Sequence, residues 1–203
     1  MAKLFDYNNI VWRFMGRVAD MFFLTLLWAI GSLPLITIGA STTALYYVAL
    51  KMVKNQEGYI WKSFWKSYGD NLKTATGIWC IMAVMGTALG FGLAASFPEQ
   101  GAGDGALFWG LLILSLLYLF WFTLVFPLTA RLDTGIKGLL YLSFMTSLKN
   151  FSWVMFMVII AICIVAMGVF VFWPLLLFGA GIIAFAHGLV LVHVIFPKYN
   201  WNN

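Results

Sequence analysis

Charge is the scarcest commodity in this chain. Asp, Glu, Lys and Arg make up only 9% of its 203 residues while 63% are hydrophobic, too little polarity to clothe a soluble fold. That excludes a water-soluble domain and predicts an integral membrane protein whose first partner is the lipid bilayer. Cysteine is nearly absent. Cys80 and Cys163 both fall inside apolar runs, with no Cys-x-x-Cys spacing and no histidine within a helical turn, so no disulfide or metal framework is predicted and both read as small packing residues. Histidine occurs twice, at His187 and His193, six positions apart and therefore some 120° around a helix, which excludes an i, i+4 metal pair. No phosphate loop, nucleophile elbow, His-Glu-x-x-His or dinucleotide fingerprint occurs. The expectation is a protein that is not an enzyme, with no catalytic residue, no cofactor and no nucleic-acid partner.

Long apolar runs fill the space that charge leaves. At roughly 20 residues per crossing of about 30 Å of hydrocarbon, the chain has room for about five spans. The first apolar run, from Met21 to Leu50, is broken by Pro34 between Gly31 and Gly39. The last, from Phe151 to Phe196, would make a helix of roughly 70 Å and must fold back, with Trp173-Pro174 as the natural turn. The predicted fold is an all-α polytopic transmembrane helix bundle, one membrane domain with spans near residues 19–38, 74–97, 106–126, 151–172 and 174–196. Residues 1–20 read as an interfacial lead-in helix carrying Arg13 and Arg17.

Basic residues orient the bundle. Lys51, Lys54, Lys62, Lys66 and Lys73 lie between the first two predicted spans, Arg131, Lys137 and Lys149 between the third and fourth, and Lys198 in the tail. The positive-inside rule puts loops 39–73 and 128–150 and the C-terminus in the cytoplasm of a plasma-membrane protein. An odd span count then leaves the basic N-terminus outside. The alternative is that residues 34–50 return as a short or re-entrant sixth crossing, which places all twelve basic residues inside.

Ser63-Phe64-Trp65-Lys66-Ser67 is echoed by Ser143-Phe144-Met145-Thr146-Ser147, each downstream of a Pro-Leu pair, Pro34-Leu35 and Pro127-Leu128. The echo predicts two related halves, and it argues against the sixth crossing because Arg131 and Asp133 follow the second Pro-Leu pair at once. Ile60, Phe64, Tyr68, Leu72 and Ala75 recur at helical spacing opposite Lys62, Lys66 and Lys73, an amphipathic helix at the membrane surface. Residues 41–55 repeat the design, with Ser41 or Thr42 as the predicted cap. Trp61, Phe64, Trp65 and Lys66 form the candidate partner-binding ridge. Two rows of small residues, Gly86/Gly90/Ala94 and Ala180/Ala184/Gly188, are candidate helix-packing faces. His187, near the middle of the last span, is the one intramembrane ionisable candidate, with a neutral hydrogen-bonded role as the simpler reading.

The stretch from Leu33-Pro34-Leu35-Ile36-Thr37-Ile38-Gly39-Ala40 through Ser41-Thr42-Thr43-Ala44-Leu45-Tyr46-Tyr47, with Gly58-Tyr59-Ile60-Trp61-Lys62-Ser63-Phe64 after it, resembles the signature of the YesL family of bacterial membrane proteins. Arg131-Leu132-Asp133 and residues 143–150 are similar to the family as well. The resemblance implies a polytopic protein found largely in Gram-positive bacteria, a domain of unknown function whose genes often neighbour those of oligosaccharide ABC importers. It supplies no catalytic residue. Glu57-Gly58, Trp61, Phe64-Trp65 and Lys66 also faintly resemble the loop by which sugar ABC permeases dock their ATPase, departing where Tyr68-Gly69 replaces Leu-Pro. The expected function is an accessory or assembly subunit of a carbohydrate ABC importer, contacting permease subunits as a hetero-oligomer or homodimer; the alternative is a small stand-alone transporter or channel.

Overall fold

The computed structural model describes residues 10–56, 58–97 and 105–201, with side chains in the first helix from residue 15 on. Seven helices follow in order: α1 Ile10–Gly31, α2 Ile38–Val53, α3 Ile60–Ala95, α4 Gly105–Thr129, α5 Gly135–Lys149, α6 Phe151–Phe170 and α7 Leu176–Val190. The last continues through a π-turn, Leu191–Ile195, into a final turn at Phe196–Lys198. No strand occurs among the described residues, and five stretches are long and apolar enough to cross a membrane. The all-α membrane bundle therefore stands.

The first of those five stretches is not the predicted one. Leu35–Val53 takes the place of residues 19–38, while the predicted lead-in helix, from residue 10 on, is continuous with the first span as α1; residues 1–9 of that prediction lie outside the described residues. Pro34, extended at φ −76° and ψ 110°, separates α1 from α2, as the proline predicts. The two helices return on each other as a hairpin. Ser41 Oγ donates to the Trp28 carbonyl at 2.8 Å and Trp28 Nε1 donates to Thr42 Oγ1 at 3.1 Å near the tip. At the open end Arg17 Nη2 donates to Asn55 Oδ1 at 2.6 Å.

A surface helix at 41–55 is thereby corrected. Twelve of the sixteen residues of α2 are buried, Ser41 and Thr43 among them, and α1, α3, α4 and α7 all pack on it. Gly39, Ala40, Ala44 and Ala49 explain why: small residues let neighbouring backbones approach, and in lipid such packing, not water expulsion, holds helices together. A Cβ on Gly39 would meet the Ala75 carbonyl and the Trp79 side chain. Neither Ser41 nor Thr42 caps the helix, which begins three residues earlier at Ile38.

The predicted amphipathic helix and second span are likewise fused. α3 runs unbroken for 36 residues, roughly 54 Å, so it overshoots a bilayer core of about 30 Å and carries Lys62, Lys66, Asp70 and Lys73 on its N-terminal half. In the second half the corresponding helix is interrupted once. Asn150 ends α5, its Nδ2 donating to the Thr146 carbonyl at 3.0 Å, and α6 starts at the next residue. The echo thus marks a long helix in the first half and a broken pair in the second, with α2 as an element that the second half lacks. Gly135, at φ +73°, provides the left-handed turn into α5.

α4 runs two residues past the predicted stop at Pro127, a buried proline close to the helix end. α5 lies across α4: Trp121 Nε1 donates to the Leu140 carbonyl at 3.1 Å and to Ser143 Oγ at 2.9 Å. The Trp173-Pro174 turn is where the sequence places it, with Trp173 exposed. Cys80 and Cys163 are exposed on the bundle surface rather than buried inside it, a correction to their reading as packing residues.

Candidate functional site

The candidate docking ridge does not form one surface. Phe64 is fully buried in the core with Leu45, Val48 and Met52, whereas Trp61 is 55% exposed and Tyr59 85% exposed. Trp65 is half-buried, edge-on to Phe64 at 5.5 Å and to Tyr68 at 5.3 Å between ring centroids. Lys66 is exposed. The i, i+4 spacing from Ile60 to Phe64 to Tyr68 is the face toward α2, so Phe64 leaves the ridge; the exposed group is Tyr59, Trp61, Lys62 and Lys66.

Of the two small-residue rows, the second packs as predicted and the first only in part. A Cβ on Gly86 would meet the Tyr118 hydroxyl, which donates to the Met82 carbonyl at 2.7 Å, but Gly90 faces open space and Ala94 is exposed. Ala180 is half-buried; Ala184 and Gly188 are buried, Gly188 against Val53 and Ala49 of α2. Gly181, absent from the predicted rows, makes the closest approach, with its backbone against Met21 of α1 and its N–H donating to Thr25 Oγ1 at 2.9 Å.

His187 is buried between α2 and α6. Its Nε2 donates to the Met157 carbonyl at 2.9 Å, which leaves Nδ1 to accept from the Tyr46 hydroxyl at 2.8 Å. Both ring nitrogens of a neutral imidazole are thereby satisfied. Beside the pair a cavity of about 250 Å³ opens between α2, α4, α6 and α7, lined by Thr42, Phe122, Thr123, Val158 and Ile183.

A larger polar cavity, about 330 Å³, lies where the open end of the α1–α2 hairpin, the start of α3, the α4–α5 turn and the tail converge. Four cations line it: Lys51, Lys54, Lys66 and Arg131. Two carboxylates, Asp70 and Asp133, share its wall, leaving a formal charge of +2 from these six side chains. Leu50 and Phe196 give it an apolar side. Lys51 and Arg131 have visible contacts. Lys51 Nζ sits 4.6 Å from the centroid of the Tyr47 ring, and Arg131 Nε and Nη2 donate to the Trp201 carbonyl at 3.2 and 3.1 Å. Burial lowers the Lys54 pKa below its ordinary 10.5, and the positive charge of Arg131 lowers it further. Ser67 and Asn71 join the lining, Asn71 Nδ2 donating to the Ser67 carbonyl at 3.0 Å. From sequence, Lys51 and Lys54 are charges on a surface helix and Lys66 is part of the candidate ridge, with nothing that joins the three. Their convergence depends on α2 returning along α1, a return that the echo argues against.

On the same end, Asn150 Nδ2 donates to the Tyr199 hydroxyl and Lys198 Nζ to Asn150 Oδ1, at 3.0 and 3.1 Å, fastening the tail beneath the α5–α6 break. Among the described residues no group of three or more His, Cys, Asp and Glu is placed to hold a metal ion.

These features define a multi-pass helical membrane protein with a basic, pocketed end. Residues 21–93, from within α1 to near the end of α3, match the model of a family described as "Protein of unknown function, DUF624". That family contains the YesL-like membrane proteins, so the resemblance read from residues 33–64 is borne out over this segment. No curated protein and no solved structure matches the chain.

Proposed function

We propose that this protein is an accessory or assembly subunit of a bacterial carbohydrate ABC import system, acting through protein contacts at its cytoplasmic, basic end and along its membrane-facing helices. The observation that carries this reading is the exposed Tyr59–Trp61 step beside Lys62 and Lys66, a rigid aromatic edge flanked by cations and set on the overshooting third of α3. Aromatic side chains next to basic ones suit a groove on a partner such as a permease subunit. The gene context implied by the family resemblance supplies the transport setting. Affinity purification from native membranes in mild detergent tests it. Permease subunits are expected to co-purify and to be lost from a Trp61→Ala, Lys66→Gln variant that keeps its thermal stability. Recovery free of any permease, with sugar uptake unchanged after deletion of the gene, would overturn the reading.

The cavity beside Tyr46 and His187 favours a second reading, a small stand-alone transporter, because it brings a buried polar pair to an opening between helices. Solute flux in proteoliposomes that disappears in a His187→Ala variant would support it over the first.

A further inference from the structure

The cavity between α2, α4, α6 and α7 has a polar floor and a mouth among membrane-spanning helices. Tyr46 and His187 are buried at its depth, whereas Leu119 and Ile162 are exposed on the outer faces of α4 and α6, two of the stretches long and apolar enough to cross a membrane. Its volume, about 250 Å³, exceeds the roughly 150 Å³ at which an apolar protein cavity already holds benzene. No charged side chain lines it among the described residues. Its hydrogen-bonding groups come from one face of α2, where Thr42 and Tyr46 are one turn apart. The Tyr46 O–H is spent on His187 Nδ1, and the phenol oxygen keeps its capacity to accept. Thr42 is the reverse case. Thr25, Thr87, Thr123 and Thr129 each donate to the carbonyl four residues before them. Thr42 makes no such bond among the described residues and instead accepts from Trp28 Nε1 at 3.1 Å, so its O–H is left to give.

We propose that this cavity binds a long-chain alcohol from the bilayer, its hydroxyl donating to Tyr46 Oη and accepting from Thr42 Oγ1 while its chain passes out between α4 and α6. Burial of the chain does not drive the binding, since lipid tails are as apolar as the cavity wall. The two hydrogen bonds do, because a hydroxyl dissolved among acyl chains lacks such partners and a low dielectric strengthens each bond. An alkane would leave both groups of the floor unpaired. A phosphate or carboxylate would bring a charge into a lining with no cation to meet it. Such binding requires neither a partner protein nor solute flux, so it stands apart from both functional readings above.

The full-length protein in phosphatidylcholine nanodiscs tests the site with a dodecanol that carries a diazirine in its chain, photolysed and mapped by peptide mass spectrometry. Labels are expected within residues 119–126 and 158–162, which line the cavity. Dodecanol itself is expected to compete for them at concentrations at least about tenfold below those needed of dodecane or dodecyl phosphate. Tyr46→Phe removes the accepting oxygen and is expected to weaken that competition about tenfold, the equivalent of one buried hydrogen bond. Because Tyr46→Phe also leaves His187 Nδ1 without its donor, Ala161→Phe serves as a second variant. It fills the cavity from α6 without removing a hydrogen-bonding group, and it is expected to abolish labelling at unchanged Tm. Labels absent from both segments, dodecane competing as well as dodecanol, or labelling undiminished in folded Ala161→Phe protein would each overturn the proposal.

Discussion

Phe64 and Trp61 lie three positions apart on one helix and have opposite fates. Phe64 fills the core between α2 and α3, so Phe64→Ala is expected to cost about 3–5 kcal/mol, seen as a marked fall in Tm in detergent. Trp61→Ala should leave Tm nearly unchanged and act only where a partner is present. Both positions are aromatic and flank lysines in the sequence, so composition alone could not separate them; the i, i+4 line through Ile60, Phe64 and Tyr68 was the available signal. Lys54 supplies a titration test. Its pKa is lowered first by burial and second by Arg131, so Arg131→Gln should raise it only part of the way toward 10.5, as followed by NMR of labelled lysine side chains. A charged Lys54 is penalised in the folded state, so its contribution to stability is less favourable below its folded pKa and recovers as pH rises through that value to the unfolded one. A full return in the Arg131 variant would mean that charge, not burial, dominates.

Among the elements, α2 is the one that sequence reading misplaced. Its lysines, Lys51 and Lys54, sit at the end, and with Ser41 or Thr42 as a start they make the segment resemble a capped surface helix. Inside a bundle its hydroxyl groups turn inward instead: Ser41 reaches the Trp28 carbonyl and Tyr46 reaches His187. The spans from α4 onward were legible because long charge-free runs and the Trp173-Pro174 break admit few alternatives, and their bounds shifted only by a few residues. The fusion in α3 was not legible, since nothing between Tyr68 and Thr76 either forces or forbids a joint. Helix packing gives this scale its test. Gly181→Ala places a methyl group against the Met21 backbone and should destabilise by about 1–3 kcal/mol, whereas Gly90→Ala meets open space and should be neutral or slightly stabilising in thermal unfolding. Equal effects would contradict the α1–α7 contact.

At the scale of the whole molecule, the hairpin of α1 and α2 settles how the basic residues are distributed. α2, at roughly 24 Å, is short for a bilayer core, yet it returns the chain to the end at which α1 began, so Arg17 and Asn55 meet and the lysines of α2 and α3 share an end with Arg131 and the tail. The return brings the two ends of the hairpin to one end of the bundle, and it assembles the cavity from three separate parts of the chain. Single cysteines at Met15, Gln56, Asp133 and Asn200, and at Phe97 and Trp173 for the other side, in a background lacking Cys80 and Cys163, test this most directly with a membrane-impermeant thiol reagent in intact cells. The first four are predicted to stay unlabelled until the cells are permeabilised while Phe97 and Trp173 label at once; labelling of Met15 in intact cells, with Gln56 protected, would contradict the hairpin and the basic end built on it.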